Sequence, residues 1–136
     1  GGSGADILSG GNGNDYLSAG TGDDVLSGGF GNDRMIGGLG SDSFVWASED
    51  VLNDLGKTSF DRIGDFSSDD VLDFSQLGLD SGLNLDQLVL FEENDRGTVV
   101  SVNLGDAGSD FTELALLQNM FDASVEKFVE ADMLII

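Results

Sequence analysis

The sequence predicts an all-β protein: a right-handed parallel β-roll (a flattened solenoid) capped by a C-terminal β-rich segment with a short helix. Three observations lead there. The first 45 residues divide into five nonapeptides in unbroken register. Within each, one position is always aspartate and another always large and apolar. The remainder alternates apolar and polar residues between turn signals, as half-buried strands do.

The nonapeptides read GGSGADILS, GGNGNDYLS, AGTGDDVLS, GGFGNDRMI and GGLGSDSFV. Position 2 is glycine throughout (Gly2, Gly11, Gly20, Gly29, Gly38), and so is position 4 (Gly4, Gly13, Gly22, Gly31, Gly40). Position 6 is Asp6, Asp15, Asp24, Asp33 and Asp42; position 8 is Leu8, Leu17, Leu26, Met35 and Phe44. Six glycine-rich residues suit a tight turn with dihedrals that other residues avoid. The last three suit a short strand, with position 8 facing inward and positions 7 and 9 facing out. Two nonapeptides then make one turn of the coil, so aspartates 18 residues apart stack in two columns, one from repeats one, three and five and one from repeats two and four.

That stacking has an electrostatic consequence. Strands lie about 4.8 Å apart, and two carboxylates about 5 Å apart at an effective dielectric near 20 repel by roughly 3 kcal/mol. A divalent cation between successive aspartates reverses the sign. Glycine turns add bare carbonyls, and flexible all-oxygen coordination favours calcium over magnesium.

Composition agrees. The 136 residues carry 26 acids and 5 bases, a formal charge of -21, with no histidine and no cysteine. Disulfides, thiol catalysis, cysteine-ligated zinc and histidine-based catalysis are excluded. Nucleic acid and anionic membranes are disfavoured partners. No apolar run reaches the roughly 18 residues of a membrane span, so stable membrane insertion is not expected. Carboxylate pairs leave glycosidase-like chemistry open by residue type alone, but nothing points to a catalytic pocket, and no enzymatic activity is expected of this chain.

The repeat matches G-G-x-G-x-D-x-U-x at nearly every defined position and resembles the RTX calcium-binding β-roll. The resemblance implies side-chain ligation by the five position-6 aspartates and carbonyl ligation by loop residues, including the glycines at positions 2 and 4. About three to five calcium ions (Ca2+) are expected from this oxygen-rich ligand set. Which carbonyl serves which ion stays open.

Residues 46–136 form the expected cap, since repeat arrays need one. Trp46, Phe60, Ile63, Phe66, Val71, Leu72 and Phe74 supply an apolar set. Strands are expected near 60–66, 71–74, 87–93, 97–104, 111–117 and 133–136. A hairpin turn is expected at Glu92–Gly97, and a helix near 123–131 with Val125, Phe128 and Val129 at helical spacing. The segments Phe60-Asp61-Arg62-Ile63-Gly64-Asp65-Phe66 and Asp70-Val71-Leu72-Asp73-Phe74-Ser75 resemble the element after the roll in type I-secreted proteins. There the first aspartates help close terminal calcium sites, which implies Asp61 and Asp65 as ligands here; solvated turn acids are the alternative.

Residues 110–136 are similar to the C-terminal target region of type I secretion substrates, ending in an acid and a few apolar residues (Asp132-Met133-Leu134-Ile135-Ile136). An edge strand completing the cap is the alternative, and both can hold. The resemblance implies a secreted, extracellular or cell-surface protein that meets an ABC transporter of the type I apparatus. It also implies calcium-induced folding outside the cell. The chain opens inside the repeat pattern, as expected of a piece of a longer adhesin, toxin, protease or lipase. An extracellular ligand- or carbohydrate-binding accessory module, like those of alginate epimerases, is the other function considered. Against it, Arg34, Lys57, Arg62, Arg96 and Lys127 are few and scattered along the sequence.

Overall fold

The computed structural model describes residues 1–51, 59–79, 82–104, 111–121, 123 and 125–136. The repeats form five strands and the start of a sixth: β1 (Gly2–Ser3), β2 (Ile7–Asn12), β3 (Tyr16–Thr21), β4 (Val25–Phe30), β5 (Arg34–Leu39) and β6 (Ser43–Ala47). After them come α1 (Ser48–Val51), β7 (Asp61–Ile63), β8 (Val71–Gln76), α2 (Leu85–Leu88), β9 (Val89–Asn94), β10 (Gly97–Asn103), β11 (Phe111–Gln118), α3 (Val125–Glu130) and β12 (Leu134–Ile135). The architecture is mostly β, as the sequence predicts.

Two sheets are built. One has the order β12-β8-β6-β4-β2, all parallel. The other runs β1-β3-β5-β7-β11-β10-β9; it is parallel as far as β11 and antiparallel from there. The C-terminal region therefore extends both sheets of the roll rather than lying across its end.

The repeat strands are six residues long where three were expected. Each continues from positions 7–9 into positions 1–3 of the next nonapeptide. The ladder pairs Ser9 with Ser27 and Gly11 with Gly29 and skips Gly10, so position 1 marks the bend. A Cβ there would meet the position-6 carboxylate of its own repeat, as at Gly37 against Asp42. At position 4 the reason for glycine is different. Gly31 has φ of +134°, and a Cβ would meet the Gly13 carbonyl one turn earlier; both demand glycine.

Position 8 builds the core. Leu8, Leu26, Phe44, Leu72 and Leu134 stand in register across one sheet. Leu17, Met35, Ile63 and Leu117 do so across the other. Leu26, Met35, Phe44, Ile63 and Leu72 are fully buried. Rings carry this core onward: Phe44 lies 5.9 Å from Phe66, Phe66 is 5.7 Å from Phe128, and Phe128 is 4.4 Å from Phe91. Of the expected apolar set, Phe60 and Val71 are only half-buried.

Three further expectations change. Residues 87–88 fall in α2, because the Gln87 side chain accepts the Asn84 N–H at 3.0 Å and holds a helical turn before β9. The β9–β10 hairpin forms as expected, but β10 is buried along its whole length between β9 and β11. In α3, Phe128 is buried while Val129 faces solvent. At the C-terminus β12 pairs with Leu72 and Asp73, leaving Ile135 and Ile136 about half exposed. Among the described residues no helix is long and apolar enough to cross a membrane.

Candidate metal centre

The position-6 aspartates form two columns, each tied by a backbone-to-side-chain ladder. The Asp6 amide donates to Asp24 Oδ1 at 2.7 Å, and the Asp24 amide to Asp42 Oδ1 at 3.0 Å. In the other column the Asp15 amide donates to Asp33 Oδ1 at 2.7 Å. A carboxylate that accepts a backbone N–H has its position fixed before any ligand arrives. Meanwhile Oδ2 of Asp15, Asp24 and Asp42 is buried with no hydrogen-bond partner among the described residues. A buried carboxylate oxygen in that state is costly, and a metal ion is one of the few groups that relieve the cost.

Both columns continue past the repeats. The Asp33 amide donates to Asp61 Oδ1 at 2.9 Å, and the Asp42 amide to Asp70 Oδ1 at 2.9 Å, each a step of 28 residues instead of 18. Asp61 thus stands at the column end. The acid at the end of the other column is Asp70. Asp65 lies off both columns: its two oxygens accept the Gly37 and Gly38 amides at 3.0 and 2.8 Å, closing the last glycine turn.

Sequence reasoning passed over Asp70, although a signal was there. Asp61 and Asp70 are nine residues apart, and Ile63 and Leu72 follow each by two, which is the position-6 and position-8 spacing. Residues 56–73 are two further nonapeptides that have lost most of their glycines. A ten-residue insertion after Asp42 breaks the register and hides them.

At the ends the second oxygen is not left alone. Asp61 Oδ2 accepts the Trp46 indole N–H at 2.8 Å in a buried bond, and Asp70 Oδ2 accepts the Ser67 N–H at 2.7 Å. Position 5 adds a parallel ladder on the outside: Asn14 Oδ1 accepts the Asn32 N–H at 2.9 Å, and Asn32 Oδ1 accepts the Phe60 N–H at 3.0 Å.

The glycines at positions 2 and 4 stack carbonyl over α-carbon, as Gly2 under Gly20 and Gly4 under Gly22 do. Two carbonyls at position 1 of the following turn lie near position-6 carboxylates. Ala19 O shares the space above Gly1 with Asp6 Oδ2, and Gly28 O shares the space above Gly10 with Asp15 Oδ2.

Among the described residues no three acids meet at one point. The donor set is one carboxylate per turn plus main-chain oxygens. Such hard oxygen donors, fixed in part and buried in part, fit a calcium ion better than a magnesium ion or a transition metal. The electrostatics of the ion-free array agree. Burial pushes the Asp42 carboxyl above its ordinary value of 3.8, helped by the neighbouring charges of Asp70, Asp24 and Asp65 and opposed by the Asp24 amide. Burial also raises Asp70, opposed by the Asp42 and Ser67 hydrogen bonds.

Stacked parallel strands with one held carboxylate per turn define a calcium-binding repeat roll. Residues 1–17 and 9–44 match the RTX calcium-binding nonapeptide repeat (four copies), and this segment is an RTX calcium-binding β-roll. Two solved structures are similar over nearly the whole chain. Both are subunits of the Azotobacter vinelandii mannuronan C5-epimerase. AlgE6R3 is 28% identical with a TM-score of 0.58, over 99% of this chain and 80% of that one. AlgE6R2 is 29% identical with a TM-score of 0.63, over 96% and 85%. No curated protein matches the chain in sequence.

Proposed function

We propose that the chain is the calcium-triggered folding module and C-terminal export signal of a bacterial type I-secreted RTX protein, without catalysis of its own. The observation that carries the first half is the set of buried, unpartnered Oδ2 atoms on Asp15, Asp24 and Asp42. At cytosolic calcium these acids oppose closure. Outside, at about millimolar calcium, binding in the range of extracellular modules (about 10⁻⁴–10⁻³ M) makes folding favourable. The export half is supported by the acid-then-apolar tail, whose last strand holds only two residues and pairs on one side. An ABC transporter complex that takes the C-terminus first would meet this tail unfolded, and β12 would pair only after release.

A calcium titration followed by circular dichroism tests the trigger: full strand signal in excess chelator would sink it. Deleting Asp132–Ile136 and measuring export tests the signal; undiminished secretion removes that half.

A second function, an extracellular ligand- or carbohydrate-binding accessory module, is supported by one observation. Two of the bases are not scattered in space. Arg34 and Arg62 stand in register on neighbouring strands β5 and β7.

A further inference from the structure

We propose that the Asn12–Gly13 peptide is a deamidation site, open while the chain is ion-free and closed when the roll forms; the link to calcium rests on the calcium-triggered folding above. Asn12 is the only asparagine in the chain that is followed by glycine. It is also the only asparagine at position 3, where the other repeats carry Ser3, Thr21, Phe30 and Leu39. The chemistry uses that pairing. The Gly13 amide nitrogen gives its proton to water and attacks Asn12 Cγ. The Cγ–Nδ2 bond breaks, and Nδ2 leaves as ammonia with a proton from water. Water then opens the five-membered imide at either carbonyl, leaving aspartate or isoaspartate. One water is consumed and one ammonia released. A side chain on the following residue crowds the attacking nitrogen, whereas glycine leaves it open and reaches the cyclic geometry most freely.

The folded roll withdraws the nucleophile. The Gly13 N–H donates to Phe30 O at 2.8 Å, and Asn12 stands opposite Phe30 in the ladder of β2 and β4. An amide tied in that way neither sheds its proton nor turns toward the Asn12 side chain. The same bond recurs at position 4 of other turns: the Gly4 N–H donates to Thr21 O at 2.7 Å and the Gly22 N–H to Leu39 O at 2.8 Å. The shield therefore belongs to the stacking of one turn on the next, and exists only when two turns have formed. Burial plays no part, because Asn12 is exposed and water reaches its side chain in either state. Asn14 and Asn32 differ at both reactants. Each is followed by aspartate, whose amide donates to a carboxylate one turn on at 2.7 or 2.9 Å. Their own Oδ1 atoms accept amides of the next turn. The product matters to the fold, since isoaspartate adds a main-chain carbon between residue 12 and Gly13 and displaces Gly13 from Phe30. A chain kept ion-free thus loses, with time, a bond that its first turns need.

Incubating the full chain at mildly alkaline pH in calcium, in chelator and in urea tests this, with peptide mapping by mass spectrometry to follow aspartate and isoaspartate at position 12. Circular dichroism reports the fold of each sample. Conversion is expected to be fast in chelator and in urea, and at least about tenfold slower in calcium, where attack waits for local opening of the ladder. Gly13→Ala, read in urea where its folding is irrelevant, should slow conversion about tenfold. Equal rates in urea and in calcium, with the strand signal of a folded roll in calcium, overturn the proposal. So does a lack of conversion in urea, an unchanged rate in Gly13→Ala, or slow conversion in chelator by a chain without strand signal. Slow conversion in chelator by a chain that keeps its full strand signal there overturns the calcium trigger, while fast conversion in urea still supports the site and its shield.

Discussion

The body of each aspartate column and its end are built from the same ladder, yet they finish their carboxylates differently. In the body, Oδ1 of Asp24, Asp33 and Asp42 accepts a backbone amide of the turn before, and among the described residues Oδ2 of Asp15, Asp24 and Asp42 is buried without a hydrogen-bond partner. At the ends, Asp61 and Asp70 keep the first bond and fill the second oxygen from within the protein, by Trp46 and Ser67. The body is therefore incomplete without a cation, whereas the ends are stabilised by the polypeptide itself.

The largest test of this difference is Asp24→Ala. It removes both the acceptor of the Asp6 amide and the free oxygen. A loss of several kcal/mol is expected in calcium, from a part-buried amide left unsatisfied at about 1 kcal/mol plus the lost ion linkage. Urea unfolding at two calcium concentrations, both above the folding midpoint, reads it, and the loss should be larger at the higher concentration. Trp46→Phe acts on an end. It leaves Asp61 Oδ2 without its indole donor at a cost of about 1–3 kcal/mol, and this loss should be the same at both calcium concentrations. If the Trp46→Phe penalty also grew with calcium, the ends would be no different from the body.

Gly31→Ala sharpens the geometric side. A φ of +134° and the Gly13 carbonyl both oppose a Cβ, so about 1–3 kcal/mol is expected from backbone strain, with a raised calcium midpoint in the same titration.

A pH effect of opposite sign in the two states is smaller. Without calcium, Asp42 and Asp70 bind protons more tightly folded than unfolded, chiefly through burial. Their contribution to the ion-free roll is present below the ordinary carboxylate value of 3.8 and is lost as pH rises from there through their raised folded values. In calcium the acids must be ionised, so stability rises over the same window. Thermal unfolding at pH 4 and pH 7, with and without chelator, should show this crossing. Least affected is Asp65→Asn, whose amide oxygen still accepts one of the two glycine N–H groups; a change of about 0.5–1 kcal/mol is expected.

The nonapeptide register made the inward column at position 8 and the carboxylate column at position 6 legible from sequence. Both depend on a strict period, and a period can be counted. Strand length was less legible, because glycines at positions 1–3 read as turn residues while the backbone pairs through them. Asp70 was hidden by the insertion that offsets its repeat. The role of Trp46 was not legible at all. Its hydrogen bond joins residues 15 apart in sequence, and no local pattern distinguishes a core indole from one that completes a carboxylate. Nor does sequence separation show that Arg34 and Arg62, 28 residues apart, are neighbours on a sheet.

The ladder also has a direction. Every bond runs from the amide of an earlier turn to the carboxylate of a later one, so each turn is oriented by the turn that follows it. Among the described column acids, Asp61 and Asp70 are the pair whose two oxygens are seen filled from within the protein. The array is thus expected to behave like a crystal with a seed at one face, with Asp61 and Asp70 as the seed and growth from the C-terminal side one turn at a time. Pulse-labelled hydrogen exchange during refolding should find the Asp33 and Asp42 amides protected before the Asp6 amide. A chain released C-terminus first would deliver its seed before the turns that grow on it.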